Sequence, residues 1–124
     1  MSERRIQSEI LLALAEHGLS GWRQNVGTGW AGEVQKLKDG SVLIRNPRPL
    51  QAGLCRGSSD IIGLRPLTIT PEMIGQTIAQ FAAIEVKQPG SYPKPEQRHF
   101  LGFVQSKGGL AILARSVADL EGAI

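Results

Sequence analysis

At 124 residues, with 41% hydrophobic and 20% charged side chains and a mean hydropathy of -0.09, the chain has the composition of one soluble globular domain, residues 1–124, and is too short for two full cores. Its single cysteine, Cys55, excludes an intramolecular disulfide and a cysteine-built zinc site, so any metal must be held by oxygen or histidine. The 14 Lys and Arg against 11 Asp and Glu leave +3, which favours a polyanionic partner; no apolar run is long enough for a bilayer and no signal peptide is legible, so a cytoplasmic protein is expected, without membrane contact.

The first predicted element is an amphipathic helix over residues 3–17. Ile6, Ile10, Leu11, Ala13 and Leu14 recur at three-to-four spacing, Ser2 serves as N-cap, Glu3 suits the first turn and Gly18 stops the helix. Residues 22–26 read as a short strand and 27–32 as a flexible glycine connection. A hairpin follows, pairing 33–38 with 41–45 around Asp39-Gly40. Residues 46–59 are irregular, with Pro47, Pro49, Gly53 and Gly57; Arg45 just before this stretch and Arg48 and Arg56 on it either touch phosphates or are simply solvated.

A strand is predicted over 60–64, then an excursion in which Thr70-Pro71 has the form of a helix start. Residues 81–87 form a central strand, with Ala82, Ile84 and Val86 on one side and Ala83, Glu85 and Lys87 on the other. A proline-rich loop leads to a helix over 95–107 ended by Gly108-Gly109, a strand over 110–114, and a short helix to about Gly122 capped by Ser116. This order predicts an α/β fold, a mixed sheet flanked by helices.

Two of these strands carry the chemistry. Asp60 opens one apolar run, and Glu85-Val86-Lys87 closes another with Glu85 and Lys87 on a common face. Carboxylates from neighbouring strands can grip one divalent ion, Mg²⁺ being suited to oxygen ligands and phosphodiester hydrolysis, while Lys87 can favour hydroxide or stabilise the developing phosphorane. The plain alternative is that acid-x-lysine is a solvated strand face and that Asp60 satisfies turn amides. Ile84 and Val86, expected to be buried, favour the functional reading, because a charged pair in a buried strand is costly unless engaged at an open end. His17 and His99 lack metal-ligand spacing, His99 being the better candidate for touching DNA, and Trp22, Trp30, Tyr92 and Phe103 are too scattered for a single-strand stacking platform.

The ordered set Glu9, Gly57-Ser58-Ser59-Asp60, Ile84-Glu85-Val86-Lys87-Gln88-Pro89-Gly90 and Pro95-Glu96-Gln97, with the ending from Gly108 to Ser116, resembles the VRR-NUC branch of the PD-(D/E)xK nuclease superfamily over most of the chain. The resemblance implies a restriction-endonuclease-like α-β-β-β-α-β core. It implies Asp60, Glu85 and the Val86 carbonyl as metal ligands for Mg²⁺ or Mn²⁺, Lys87 as the catalytic lysine, Glu9 as an outer or second-metal carboxylate, and Gln97 as a group orienting the lysine or a phosphate. Ser59 stands where the family usually has proline, which loosens the turn without removing a ligand. Arg23, Arg48, Arg56, Arg98 and His99 are the DNA-contact candidates; a solvated surface role is the alternative for Arg23. Similar domains of the phage type resemble resolvases of four-way (Holliday) junctions, which implies branched DNA as substrate, a homodimer with two sites, and no nucleotide cofactor. A non-catalytic DNA-binding module and a restriction-type enzyme are the alternatives.

Overall fold

The computed structural model describes residues 2–124, which divide into two compact units, one up to Gly63 and the other Leu64–Ile124. The elements run α1 (Glu3–Glu16), β1 (Ser20–Arg23), β2 (Gly27–Lys36), β3 (Val42–Ala52), β4 (Ile61–Leu64), a 3₁₀ turn (Pro71–Met73), β5 (Ala82–Val86), α2 (Pro95–Ser106), β6 (Leu110–Ala114) and α3 (Val117–Glu121). The mixed α/β class expected from the sequence holds. The strands pair two by two, β1 with β4, β2 with β3 and β5 with β6, so each acid-bearing strand has a different ladder partner from the one expected.

In the first unit, α1 starts where the Ser2 hydroxyl accepts from the Arg5 N–H at 3.3 Å. It ends in a Schellman turn: Gly18, at φ +77°, donates to the Ala15 carbonyl and Leu19 donates to that of Leu14 at 2.9 Å. The reversal releases the chain into β1 directly after Leu19, which is why this strand begins at Ser20 and not at residue 22. Of the apolar stripe, Leu11 and Leu14 are half-buried while Ile6 and Ile10 stay exposed. Leu14 lies so close to β1 that a Cβ on Gly21 would meet its Cδ1 at 2.8 Å.

β2 and β3 form an antiparallel ribbon running from Gly27 opposite Ala52 to Lys36 opposite Val42. Its tip lies at the expected Asp39-Gly40: Leu37 donates to the Ser41 carbonyl at 2.9 Å, Gly40 takes φ +88°, and the Ser41 hydroxyl, followed by its amide, holds the Asp39 carboxyl below its usual range. The ribbon is longer than the pattern predicts, because residues 27–32, read as a connection, and 46–52, read as irregular, are strand. A two-stranded ribbon leaves β3 an outer edge, where Pro47 and Pro49 sacrifice little pairing. A bulge between Ala31 and Glu33, with Asn46 at φ +48°, absorbs the remaining irregularity.

The second unit is a β-α-β crossover. β5 and β6 are parallel, from Ala82 opposite Leu110 to Val86 opposite Ala114, and parallel neighbours cannot be joined by a hairpin, so α2 must carry the chain back. Pro95 opens α2, and a second Schellman turn closes it: Gly108, at φ +88°, donates to Gln105, Gly109 donates to Val104 at 2.9 Å, and Leu110 then donates to the Phe81 carbonyl at 2.8 Å to begin the ladder. Helix stop and strand register are thus set by three consecutive residues. Val104 is fully buried, with Leu64, Ile112 and Ala114 completing the core. Ser116 caps α3 by accepting from the Asp119 N–H at 3.2 Å, and Asp119 accepts in return from Arg115 at 2.8 Å. The start expected at Thr70-Pro71 is a single 3₁₀ turn, in which its own backbone N–H, then the Thr70 hydroxyl, hold the Glu72 carboxyl below its usual range. Among the described residues no helix is long and apolar enough to cross a membrane.

Two glycines of this unit should respond oppositely to alanine. A Cβ on Gly109 would lie 2.6 Å from Val104 Cγ1 and 2.9 Å from the Phe81 carbonyl, so Gly109→Ala should cost about 1–3 kcal/mol in urea unfolding. Gly102, inside α2 with nothing within 4 Å of such a Cβ, should gain about 0.5–1 kcal/mol on becoming alanine.

Candidate active site

Alternation along β5 puts Ala83 and Glu85 on its half-buried side, followed by Lys87, and leaves Ile84 and Val86 49% and 72% exposed. This inverts the expectation that the apolar pair marks the buried face. The physical reason is the crossover: α2 packs over the face that carries the charges. Glu85 Oε1 and Lys87 Nζ stand 3.1 Å apart, with side chains 26% and 20% exposed, so the pair is partly withdrawn from water and its attraction is less screened than on an open surface. One of the three Lys87 N–H donors goes to Glu85, and two remain for an anionic oxygen or a water.

Beside the pair lies a groove of about 240 Å³, lined by Ala83, Ile84, Glu85 and, from α2, Glu96, Gln97, Phe100 and Leu101. Helical spacing explains the set, since Glu96, Gln97, Phe100 and Leu101 recur at i and i+4. Gln97 sits on the inward side as the sequence predicts. Its carboxamide oxygen accepts from the Lys94 N–H at 2.8 Å, the reciprocal arm of a capping box whose Lys94 has no acceptor side chain to offer. With the oxygen used there, what Gln97 retains for the groove is its NH₂, a donor suited to phosphate or carboxylate oxygen. Glu96 was not singled out from the sequence; its place one residue before Gln97 in the first helical turn is the signal that could have found it.

The other predicted residues belong to other elements. Asp60 belongs to the first unit, exposed and immediately before β4, with its main-chain carbonyl accepting from the Gln24 N–H at 2.9 Å. Glu9 is exposed on α1 and paired with Arg5 at 3.2 Å. The Arg23 guanidinium donates to the Ser8 hydroxyl at 2.6 Å and the Arg4 carbonyl at 3.3 Å, fastening β1 to α1. Arg48 is exposed on β3, Arg56 in the turn at residues 55–57, and Arg98 and His99 on α2 away from the groove.

The residue that sequence reading missed in the first unit is Gln24. Its Nε2 donates to the Ser58 hydroxyl at 2.5 Å and the Ser59 carbonyl at 2.7 Å, and its Oε1 accepts from the Leu54 N–H at 2.9 Å. With the backbone bond to Asp60, one half-buried side chain and its own amide pin the whole segment that presents Asp60. A lone glutamine in a polar stretch carries no local pattern that announces a long-range clamp.

The donors assigned to a metal are all oxygen, as a hard cation requires, and Mg²⁺ is commonly held through one or two carboxylates with water and phosphate completing its shell. Glu85, half-buried and lining a groove with a second carboxylate, Glu96, fits that demand. Glu9, salt-bridged at the surface, fits it less well. Among the described residues no three His, Cys, Asp or Glu side chains gather as a metal-binding group by themselves.

Comparison with known families finds a model of the VRR-NUC domain matching residues 1–118. No curated protein and no solved structure gives a significant match.

Replacing Gln24 by alanine removes three side-chain hydrogen bonds at once. The expected result is a stability loss of about 1–3 kcal/mol and, in hydrogen exchange, a Leu54 amide that exchanges about tenfold faster while the β5 and β6 amides keep their protection.

Proposed function

Because the chain belongs to the VRR-NUC domain family, whose function is nuclease-type processing of DNA, we propose that it is a Mg²⁺- or Mn²⁺-dependent endonuclease that hydrolyses phosphodiester bonds in branched DNA, the four-way junction foremost. The observation that carries this reading is the Glu85–Lys87 pair, 3.1 Å apart, at a groove into which α2 brings Gln97. A solvated strand face would leave both charges in bulk water and would need no groove.

The roles follow from the chemistry of each group. The family resemblance implies Asp60 and Glu85 as carboxylates for the ion, with the Val86 carbonyl as a neutral oxygen, and of these Glu85 lines the groove. When bound, the ion supplies charge neutralisation at the scissile phosphate and a more acidic water. Lys87, held by Glu85, places a positive charge where negative charge grows on the phosphorane oxygens, and such preorganised charge acts without reorganising during the reaction. The Gln97 NH₂ adds a neutral donor to the groove that Glu85 lines, at the start of a helix whose first turn favours anions. Phe100 and Leu101 form the apolar wall that limits water.

Affinity for DNA rests on phosphate contacts, with Arg48, Arg56, Arg98 and His99, exposed as described, as the contributors and Arg23 as a further one, so binding should weaken steeply with salt. Symmetrical cutting of a junction needs two sites, and each chain carries one, so the working form is a two-fold homodimer.

The test is incubation of the wild type, Asp60→Ala, Glu85→Gln and Lys87→Met with four-way junction, flap and linear duplex, with and without Mg²⁺. Metal-dependent cutting of the junction is expected from the wild type, with each variant slower by about a hundredfold or more. Binding without cutting under any metal would leave a DNA-binding module, and equal cutting of linear duplex would point to a restriction-type enzyme.

A further inference from the structure

The loop between β5 and α2 joins Lys87 to Gln97, and its conformation is fixed from several sides. The β5–β6 ladder runs one bond past β5, Lys87 donating to the Ala114 carbonyl at 3.1 Å, and the chain then turns at Gly90, φ +85°, with Ser91 donating back to Gln88 at 3.0 Å. Pro93 is buried. Arg115, which follows the ladder partner of Val86, reaches across: its Nη2 donates to the Ser91 carbonyl at 2.7 Å and its guanidinium lies 5.3 Å from the centre of the Tyr92 ring. The backbone of Arg115 is tied in turn to α3 through Asp119 at 2.8 Å.

Tyr92 itself is 76% exposed. A large aromatic held this far out of the core contributes little to folding, yet it is not left loose. An arginine anchored through its backbone to Asp119 and through its guanidinium to Ser91 lies against the ring, while most of the Tyr92 side chain is left to solvent. Such a ring keeps one orientation before any ligand arrives, so little freedom remains to be lost when something stacks on it.

We propose that Tyr92, braced by Arg115, is a stacking site for a single unpaired base beside the branch point of the DNA. This rests on the nuclease reading, since the loop that carries Tyr92 joins Lys87, the partner of Glu85, to the start of the helix that brings Gln97 to the groove. In intact duplex every base is already stacked on its neighbours, whereas a branch or a frayed end frees a base to leave the helix, so the ring discriminates by shape and not by sequence. One ring serves one base, which reconciles the site with the absence of a multi-aromatic platform. The Arg115 guanidinium acts through the ring as a positioning group.

The experiment measures binding in metal-free buffer to a synthetic four-way junction and to linear duplex of equal length, with 2-aminopurine placed in turn at each nucleotide flanking the branch. For the wild type, fluorescence at one flanking position should fall on binding as the base stacks. Tyr92→Ala and Tyr92→Leu should abolish that change and bind the junction about tenfold more weakly with duplex affinity unaltered; Tyr92→Trp should restore both. Arg115→Lys, which keeps charge but loses the planar fork, should give an intermediate loss. Wild-type affinity and quenching in Tyr92→Ala, with junction cutting intact in Mg²⁺, overturns the stacking site and leaves the nuclease reading standing. Failure of the wild type to bind either DNA overturns both.

Discussion

Parallel pairing of β5 with β6 is the constraint from which the second unit follows. Two parallel strands cannot be closed by a tight turn, so a helix has to span from the end of one to the start of the other, and it lies across one face of the pair. That face is the one carrying Glu85, with Lys87 just beyond. The helix that completes the backbone connection is therefore also the element that shields the charged pair from bulk solvent and sets Glu96 and Gln97 against it. Packing and chemistry share one cause, and Val104, buried completely between helix and strands, marks where the two elements are locked.

The crossover is anchored at both ends by backbone, not by side-chain bulk. At its far end the Gly108 and Gly109 amides satisfy the last carbonyls of α2, and the next amide starts the β6 ladder, so the helix cannot slip without breaking the register. At its near end Gln97 satisfies the Lys94 amide with the same carboxamide whose NH₂ remains for the groove. A residue serving both as cap and as donor is restrained in rotamer, which is what a preorganised site requires.

The first unit solves a different problem, the presentation of an acid from a segment without regular structure. Residues 53–59 have few apolar side chains to bury, and their backbone polar groups need partners. Gln24 supplies them from β1, one amide group bonding to Leu54, Ser58 and Ser59. Rigidity at Asp60 thus comes from hydrogen bonds gathered at one residue, whereas rigidity at Glu85 comes from a strand beneath a helix.

What the sequence determined by itself was whatever depends on neighbours along the chain: the caps at Ser2 and Ser116, the glycine stops of α1 and α2, the hairpin tip at Asp39-Gly40, the common side of Glu85 and Lys87, and the inward set of Gln97. Each is a matter of dihedral preference, side-chain alternation or helical period, and none needs distant partners. Tertiary structure decided the rest. The glycines of residues 27–32 and the prolines of 46–52 argue locally against strand, but ribbon pairing supplies the backbone bonds and its outer edge tolerates proline. Alternation divided β5 into two faces without saying which one α2 would cover, because burial depends on where the crossover lands. The Gln24 clamp and the Arg115–Tyr92 contact join residues 30 or more and 23 positions apart, and such a meeting is set only when the folded chain brings them together.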